Sequence, residues 1–193
     1  MAVHAFPSFL TGVYVPDALD RVRSTIAVID TRTEILWVNA AWQSLAHDRG
    51  ARIPPTYLDG ISGALRTYFD EVFARAIATG EIYEQDYECS TPDELRTFHM
   101  RVLPFTPHGL VVEHTQVVAV PAPVGEPPDE ARFLDANGQI IQCSNCRRVR
   151  EPGRDDCERW AWIPGWVARS HPRTSHGICT PCLGFYWRRG RRR

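Results

Sequence analysis

Lysine is absent from this 193-residue chain, and all 22 basic side chains are arginine. We read that absence as coding bias, consistent with a GC-rich bacterial genome, and not as chemistry. Long apolar runs are also missing. None approaches the roughly 18 residues needed to cross a bilayer, so no membrane partner is expected. The opening "MAVHAFPSFLTGVYVPDALD" has neither a basic start nor a continuous apolar core, so no secretory leader is read and a cytoplasmic location is the expectation. Catalytic signatures are missing too. There is no HExxH, no phosphate-binding glycine loop and no nucleophile motif, so the chain is expected not to be an enzyme. Nor is there a kinase, a receiver or a recognisable helix-turn-helix. A sensory role would therefore require a separate output protein.

What is present is unevenly distributed. Residues 1–142 carry 10 Arg against 19 Asp and Glu, a net of −9, whereas residues 143–193 carry 12 Arg against four acids, a net of +8. Such a split points to two units with different surfaces. "PAPVGEPPDE" (121–130), with its four prolines, reads as the linker between them. The expected layout is an N-terminal segment or helical cap over 1–23, a first domain over 24–120, the linker over 121–130, a cysteine module over 131–187 and an Arg-rich tail over 188–193.

In the first domain, "TIAVID" (25–30) and "EILWV" (34–38) predict a hairpin. Asn39 is placed to cap a short helix over 39–46. Ile61, Leu65, Phe69, Val72, Phe73 and Ala76 recur at helical spacing up to Gly80, a C-terminal stop. Strand-like runs follow at 82–89, 96–105 and 109–120. Short strands joined by tight turns, in the order β-β-α-α-β-β-β, predict an α+β unit with an antiparallel sheet. His114 shares a face with Leu110 and Val112 and reads as a hydrogen-bonded core residue, as does His99; Cys89 alternates with Tyr83 and Tyr87 and is expected to face the core.

The phrases "ILWVNAAWQSLA", "GEIYEQDYECSTPDELRTFHMRV" and "GLVVEHTQV" resemble the PAS domains of bacterial signalling proteins, over about 24–118. Where that group has Pro and His beside the cysteine, this chain has Glu88 and Ser90. The resemblance implies a five-stranded antiparallel sheet with helices on one face, and a sensory or dimerising role. It argues against haem and flavin, because 61–79 holds no His and no flavin-attachment motif occurs. PAS domains commonly pair through the segment before the first strand. Here "YVPDALDRVRS" (14–24) places Val15, Leu19 and Val22 on one stripe of a helix with Pro16 in its first turn, so a homodimer is expected, the alternative being that the stripe caps its own sheet.

The second unit opens with "RFLDANGQIIQCSNC", read as strand, Asn137-Gly138 turn, strand and CxxC turn. Cys143-x2-Cys146 and Cys179-x2-Cys182 then frame a Trp-rich insert. Each CxxC turn brings two thiolates within reach of one ion. Two turns supply the four soft ligands of a closed tetrahedral zinc site. A redox dithiol, an iron–sulfur cluster and unrelated thiols are the other readings. A unit this small needs a staple, and bound zinc contributes on the order of 10–16 kcal/mol of apparent folding free energy. Trp160, Trp162 and Trp166 are expected to form much of the core.

"IIQCSNCRRVR…WAWIPGWV…SHGICTPCLGFYW" resembles a bacterial cysteine module with the signature CSxCRRxR…WxWVPxxV…SHGLCPxCxxxY, over about 139–187. By that resemblance Cys143, Cys146, Cys179 and Cys182 hold one Zn²⁺ per chain, His176 orients the second knuckle through a hydrogen bond to a thiolate or backbone, with ligation in place of a Cys as the alternative, and Cys157 is a bystander. The tail "YWRRGRRR" carries five Arg in its last six residues, which reads as a solvated run or as a contact for nucleic acid or an acidic partner. The leading expectation is a non-enzymatic bacterial signalling protein, a PAS domain joined to a structural zinc module. A nucleic-acid-binding regulator and a thiol redox sensor are the alternatives.

Overall fold

A computed structural model describes residues 5–48, 52–61, 63–123, 128–153 and 159–188. By packing, the chain forms two compact units, one comprising residues 1–87 and 98–117 and the other 88–97 and 118–193. The division falls within strands of the first sheet.

The first sheet is built from β1 (Thr25–Asp30), β2 (Ile35–Val38), β3 (Tyr83–Glu88), β4 (Glu94–Phe105) and β5 (Gly109–Pro121), in the order β2-β1-β5-β4-β3. The expected five-stranded α+β architecture is therefore present. β5 lies antiparallel to β1, with Val28 opposite Val111 and Ile29 opposite Leu110. Close approach of the β5 entry to β1 requires Gly109, since a Cβ there would sit 2.0 Å from the Ile29 carbonyl oxygen.

The alternation of side chains along β1 and β5 feeds two cores. On one face Ile26, Val28, Trp37 and Val111 bury Leu10, and Phe6, Phe9 and Leu19 pack against them. That layer is the N-terminal segment, which contains α1 (Pro16–Asp20). Facing the other way is His114, stacked with Tyr57 and close to Trp42. Trp42 belongs to α2 (Ala40–Asp48), and Tyr57 meets Phe73 of α3 (Ala64–Thr79). Gly80 ends α3 in the left-handed conformation, φ 69°, as its position predicts.

Asn39 ties the N-terminal layer to the sheet. Completely buried, it accepts hydrogen bonds at Oδ1 from the Ile26 amide (3.0 Å) and, as a helix cap, from the Trp42 amide (3.1 Å). Its Nδ2 donates to the carbonyls of Leu19 (3.0 Å) and Ser24 (2.9 Å). These bonds explain a departure from the sequence reading. A helix over 14–24 would use the Leu19 carbonyl to accept from residue 23, but Asn39 takes it, and the helix stops at Asp20. Leu19 then packs on its own sheet, while Val15 and Val22 stay exposed, so the three do not form one stripe.

His114 is a core residue, as expected. Its Nε2 lies 2.5 Å from the Tyr57 hydroxyl and its Nδ1 2.9 Å from the Tyr87 hydroxyl. A neutral imidazole satisfies both phenols, because each can donate or accept. Burial lowers the His114 pKa to about 4 and raises that of Tyr57, so both remain uncharged near neutrality. His99 instead lies toward solvent, 2.7 Å from Asp86. Cys89 is only half-buried, one residue past the end of β3, where the sheet no longer covers it.

The second unit holds a four-stranded sheet ordered β8-β7-β6-β9, made of β6 (Ile140–Cys143), β7 (Val149–Glu151), β8 (Arg159–Ala161) and β9 (Thr174–Gly177). Two short helices complete it, α4 (Pro164–Ala168) and α5 (Thr180–Arg188). The strand expected before Asn137-Gly138 is instead a 3-10 turn over Glu130–Phe133 followed by a single bridge from Leu134 to Ile140. Asp135 is the cause. Its side chain accepts from the amides of Asn137 (2.8 Å) and Gln139 (2.9 Å), closing a tight turn in which only Gly138 takes positive φ. The core comprises Phe133, Ile140, Val149 and Ile163. The tryptophans border this core and do not form it. Trp166 stands edge-on to Phe133 at 5.4 Å, Trp160 packs against the cysteines, and Trp162 lies half-buried beneath Arg148.

His114 sets a pH dependence. Its folded pKa of about 4 lies below the ordinary 6.5, so between these values the unfolded chain binds the extra proton. The stabilisation is complete above about pH 6.5 and is lost as pH falls toward 4, to a limit of about 3 kcal/mol. Urea unfolding of the wild type and of His114→Phe should show a steeper loss of stability for the wild type between pH 7 and 5.

Candidate metal centre

The two CxxC turns come together because β6 and β9 run parallel, with Cys143 opposite Gly177. Gly177 leaves the space this requires, a Cβ there being 3.1 Å from Ile141 Cγ2. The first turn is closed by the Arg147 amide donating to the Cys143 carbonyl (3.1 Å) and by the Cys143 amide donating to the Arg148 carbonyl (2.8 Å). Arg147 takes φ 63° to make it. Gln142, fully buried, braces the turn by donating to the carbonyls of Arg147 (3.0 Å) and Trp166 (3.1 Å) and accepting from Ser170 (3.1 Å). The second turn leads into α5, where the Leu183 amide donates to the Cys179 carbonyl (2.8 Å).

The Sγ atoms of Cys143, Cys146, Cys179 and Cys182 all lie within 4.8 Å of one another. Cys143, Cys146 and Cys179 are buried and Cys182 is half-buried; all are free thiols. Cys146 and Cys179 are 3.7 Å apart at sulfur. A tetrahedral site with metal–sulfur bonds near 2.3 Å has edges of about 3.8 Å, so the spacing fits one ion held by all four. It is far too long for a disulfide.

Such crowding has an electrostatic consequence. The neighbouring thiols donate to Cys143 and hold its pKa far below the usual thiol value. Cys146, opposed by Cys143 but aided by Cys179 and Cys182, is lowered to about 7. Cys179 and Cys182 are pushed up by the sulfurs of Cys143 and Cys146. Four thiolates cannot coexist here without a cation.

Other donors also reach the sulfurs. The Cys179 amide lies 3.4 Å from the Cys143 sulfur, and Asn145 Nδ2 lies 3.3 Å from that of Cys182. Asn145 is oriented by the buried Tyr186, whose hydroxyl donates to Asn145 Oδ1 at 2.7 Å. Ser144 adds a double tie, its amide (2.8 Å) and hydroxyl (3.1 Å) both donating to the Gly177 carbonyl. His176, expected to orient the second knuckle, makes no side-chain hydrogen bond to it among the described residues. It is exposed on β9 and is not among the converging ligands; the bonds around the knuckles come instead from Ser144, Asn145 and Tyr186. Sequence reasoning missed this trio, although Tyr186 is the final tyrosine of the module's signature. Cys157 and the arginines at 189–193 lie outside the described residues.

No family model matches the chain, and none of the curated proteins does. Among solved structures it is similar to the PAS domain of BvgS from Bordetella pertussis. The identity is 16%, over 53% of this chain and 83% of that one, with a TM-score of 0.43. It is also similar to a domain of an HTR-like protein from Haloarcula marismortui, at 15% identity over 50% of this chain and all of that one, with a TM-score of 0.38. Both likenesses are partial. The four-cysteine centre rests on its own geometry.

Removing the Tyr186 hydroxyl frees the Asn145 amide from its orientation. Tyr186→Phe should weaken metal binding by roughly tenfold, the lower end for losing an outer partner of a ligand. His176→Ala should leave affinity unchanged. Competition with a chromophoric chelator measures both.

Proposed function

We propose that this chain is a non-enzymatic bacterial signal-transduction protein in which a PAS-like sensory or dimerisation domain is joined to a structural zinc module. The observation that carries the proposal is the closed set of four converging sulfurs. An ion held by Cys143, Cys146, Cys179 and Cys182 has no open position for water or substrate, which favours a structural role over hydrolysis. Zinc suits an all-thiolate tetrahedron. The five-stranded sheet with α2 and α3 supports the sensory half, together with the PAS-like phrases of the sequence. The output protein is separate under this reading. No described helix is long and apolar enough to cross a membrane.

The homodimer belongs to the same reading, with Val15 and Val22 exposed beside α1. Leu19 packs on its own sheet, so Val15→Asp is the cleaner probe of assembly. Light scattering at tens of micromolar should give a dimer mass for the wild type and a lower mass for the variant.

Elemental analysis of protein purified without added metal should find one zinc per chain and no inorganic sulfide. Iron with sulfide, or no metal, contradicts the proposal. Nucleic-acid binding that falls steeply with salt would favour the regulator instead. Reversible zinc loss on peroxide treatment would favour the redox sensor.

A further inference from the structure

Arg148 stands two residues after Cys146, and its guanidinium faces two side chains at once. Its Nη1 is 2.9 Å from Glu88 Oε2, and its guanidinium lies 5.8 Å above the Trp162 ring. Its carbonyl accepts from the Cys143 amide (2.8 Å), which ties its backbone to the first CxxC turn. Glu88 is the last residue of β3 and belongs, with 88–97, to the second compact unit. Its other oxygen accepts from the Ser90 hydroxyl (3.2 Å), whose Oγ in turn accepts from the Arg96 amide (3.0 Å). The Cys89 amide donating to the Arg96 carbonyl (3.1 Å) and the Thr91 amide donating to that of Glu94 (2.8 Å) complete the turn. A chain of contacts thus runs from Arg148 through Glu88 and Ser90 to Arg96 and joins the first CxxC turn to this one.

We infer that occupancy of the four-cysteine centre governs the order of the 88–97 turn, with Arg148 as the link. The inference rests on the reading of that centre as a metal site. An ion fixes the turn from Cys143 to Arg148, which holds the guanidinium in place to receive Glu88. When the ion leaves, the turn bearing Arg147 and Arg148 loosens, and Glu88 loses its fixed partner. The Glu88 and Ser90 that interrupt the PAS-like phrase at this point thereby acquire a role.

Hydrogen–deuterium exchange of the full chain, with metal content measured on the same samples, tests the link. In the wild type, chelation should speed exchange of the amides in 88–97 by roughly tenfold, the scale of one lost charge-assisted hydrogen bond. In metal-loaded Arg148→Ala the same amides should already exchange at the fast rate, while 139–187 stays protected. Glu88→Ala, at the far end of the relay, should behave alike and keeps the test decisive if Arg148→Ala loses its metal. Wild-type protein that binds metal but shows no response in 88–97, or metal-loaded Glu88→Ala that keeps 88–97 protected, overturns the inference. Wild-type protein that binds no metal overturns the reading beneath it as well.

Discussion

Four sulfur atoms enclosed within 4.8 Å of one another form the constraint on which the second unit depends. As thiols they cannot each be satisfied, and as thiolates they repel one another. Either state loosens the turns that hold them. A cation removes both difficulties at once. With it in place, the parallel pair β6 and β9, the brace at Gln142 and the relay from Tyr186 through Asn145 to Cys182 agree on one arrangement.

The apolar core of this unit is small, essentially Phe133, Ile140, Val149 and Ile163 with Trp166 alongside. So few side chains cannot offset the conformational entropy of ordering the long insert between the CxxC turns. The first unit is built differently. Its sheet carries one apolar layer under the N-terminal segment and another under α2 and α3. Its internal polar groups pair with each other, as His114 does with Tyr57 and Tyr87. It needs no staple.

Much of this was legible in the sequence. Short β-branched, apolar runs located the five strands of the first sheet, and Asn39 and Gly80 marked helix ends because each acts locally, through a side-chain cap or a positive φ. The cysteine spacing named the four sulfurs for a similar reason, since a CxxC turn is a local structure. What the sequence concealed depends on partners distant along the chain. The Leu19 carbonyl is captured by Asn39, twenty residues away, which shortens α1. Asp135 converts an expected strand into a turn. His176 stands three residues before Cys179 yet is exposed, and the bonds around the knuckles come from Ser144 and Tyr186, whose partners are distant along the chain. Pairing of Glu88 with Arg148 spans sixty residues and has no periodic signature at all.

The central claim is that all four cysteines, and no other side chain, hold one zinc ion. X-ray absorption at the zinc edge of the purified full chain tests it most directly. The account predicts a single shell of four sulfurs at about 2.3 Å. A shell containing nitrogen or oxygen, or sulfur in fewer than four positions, would contradict it.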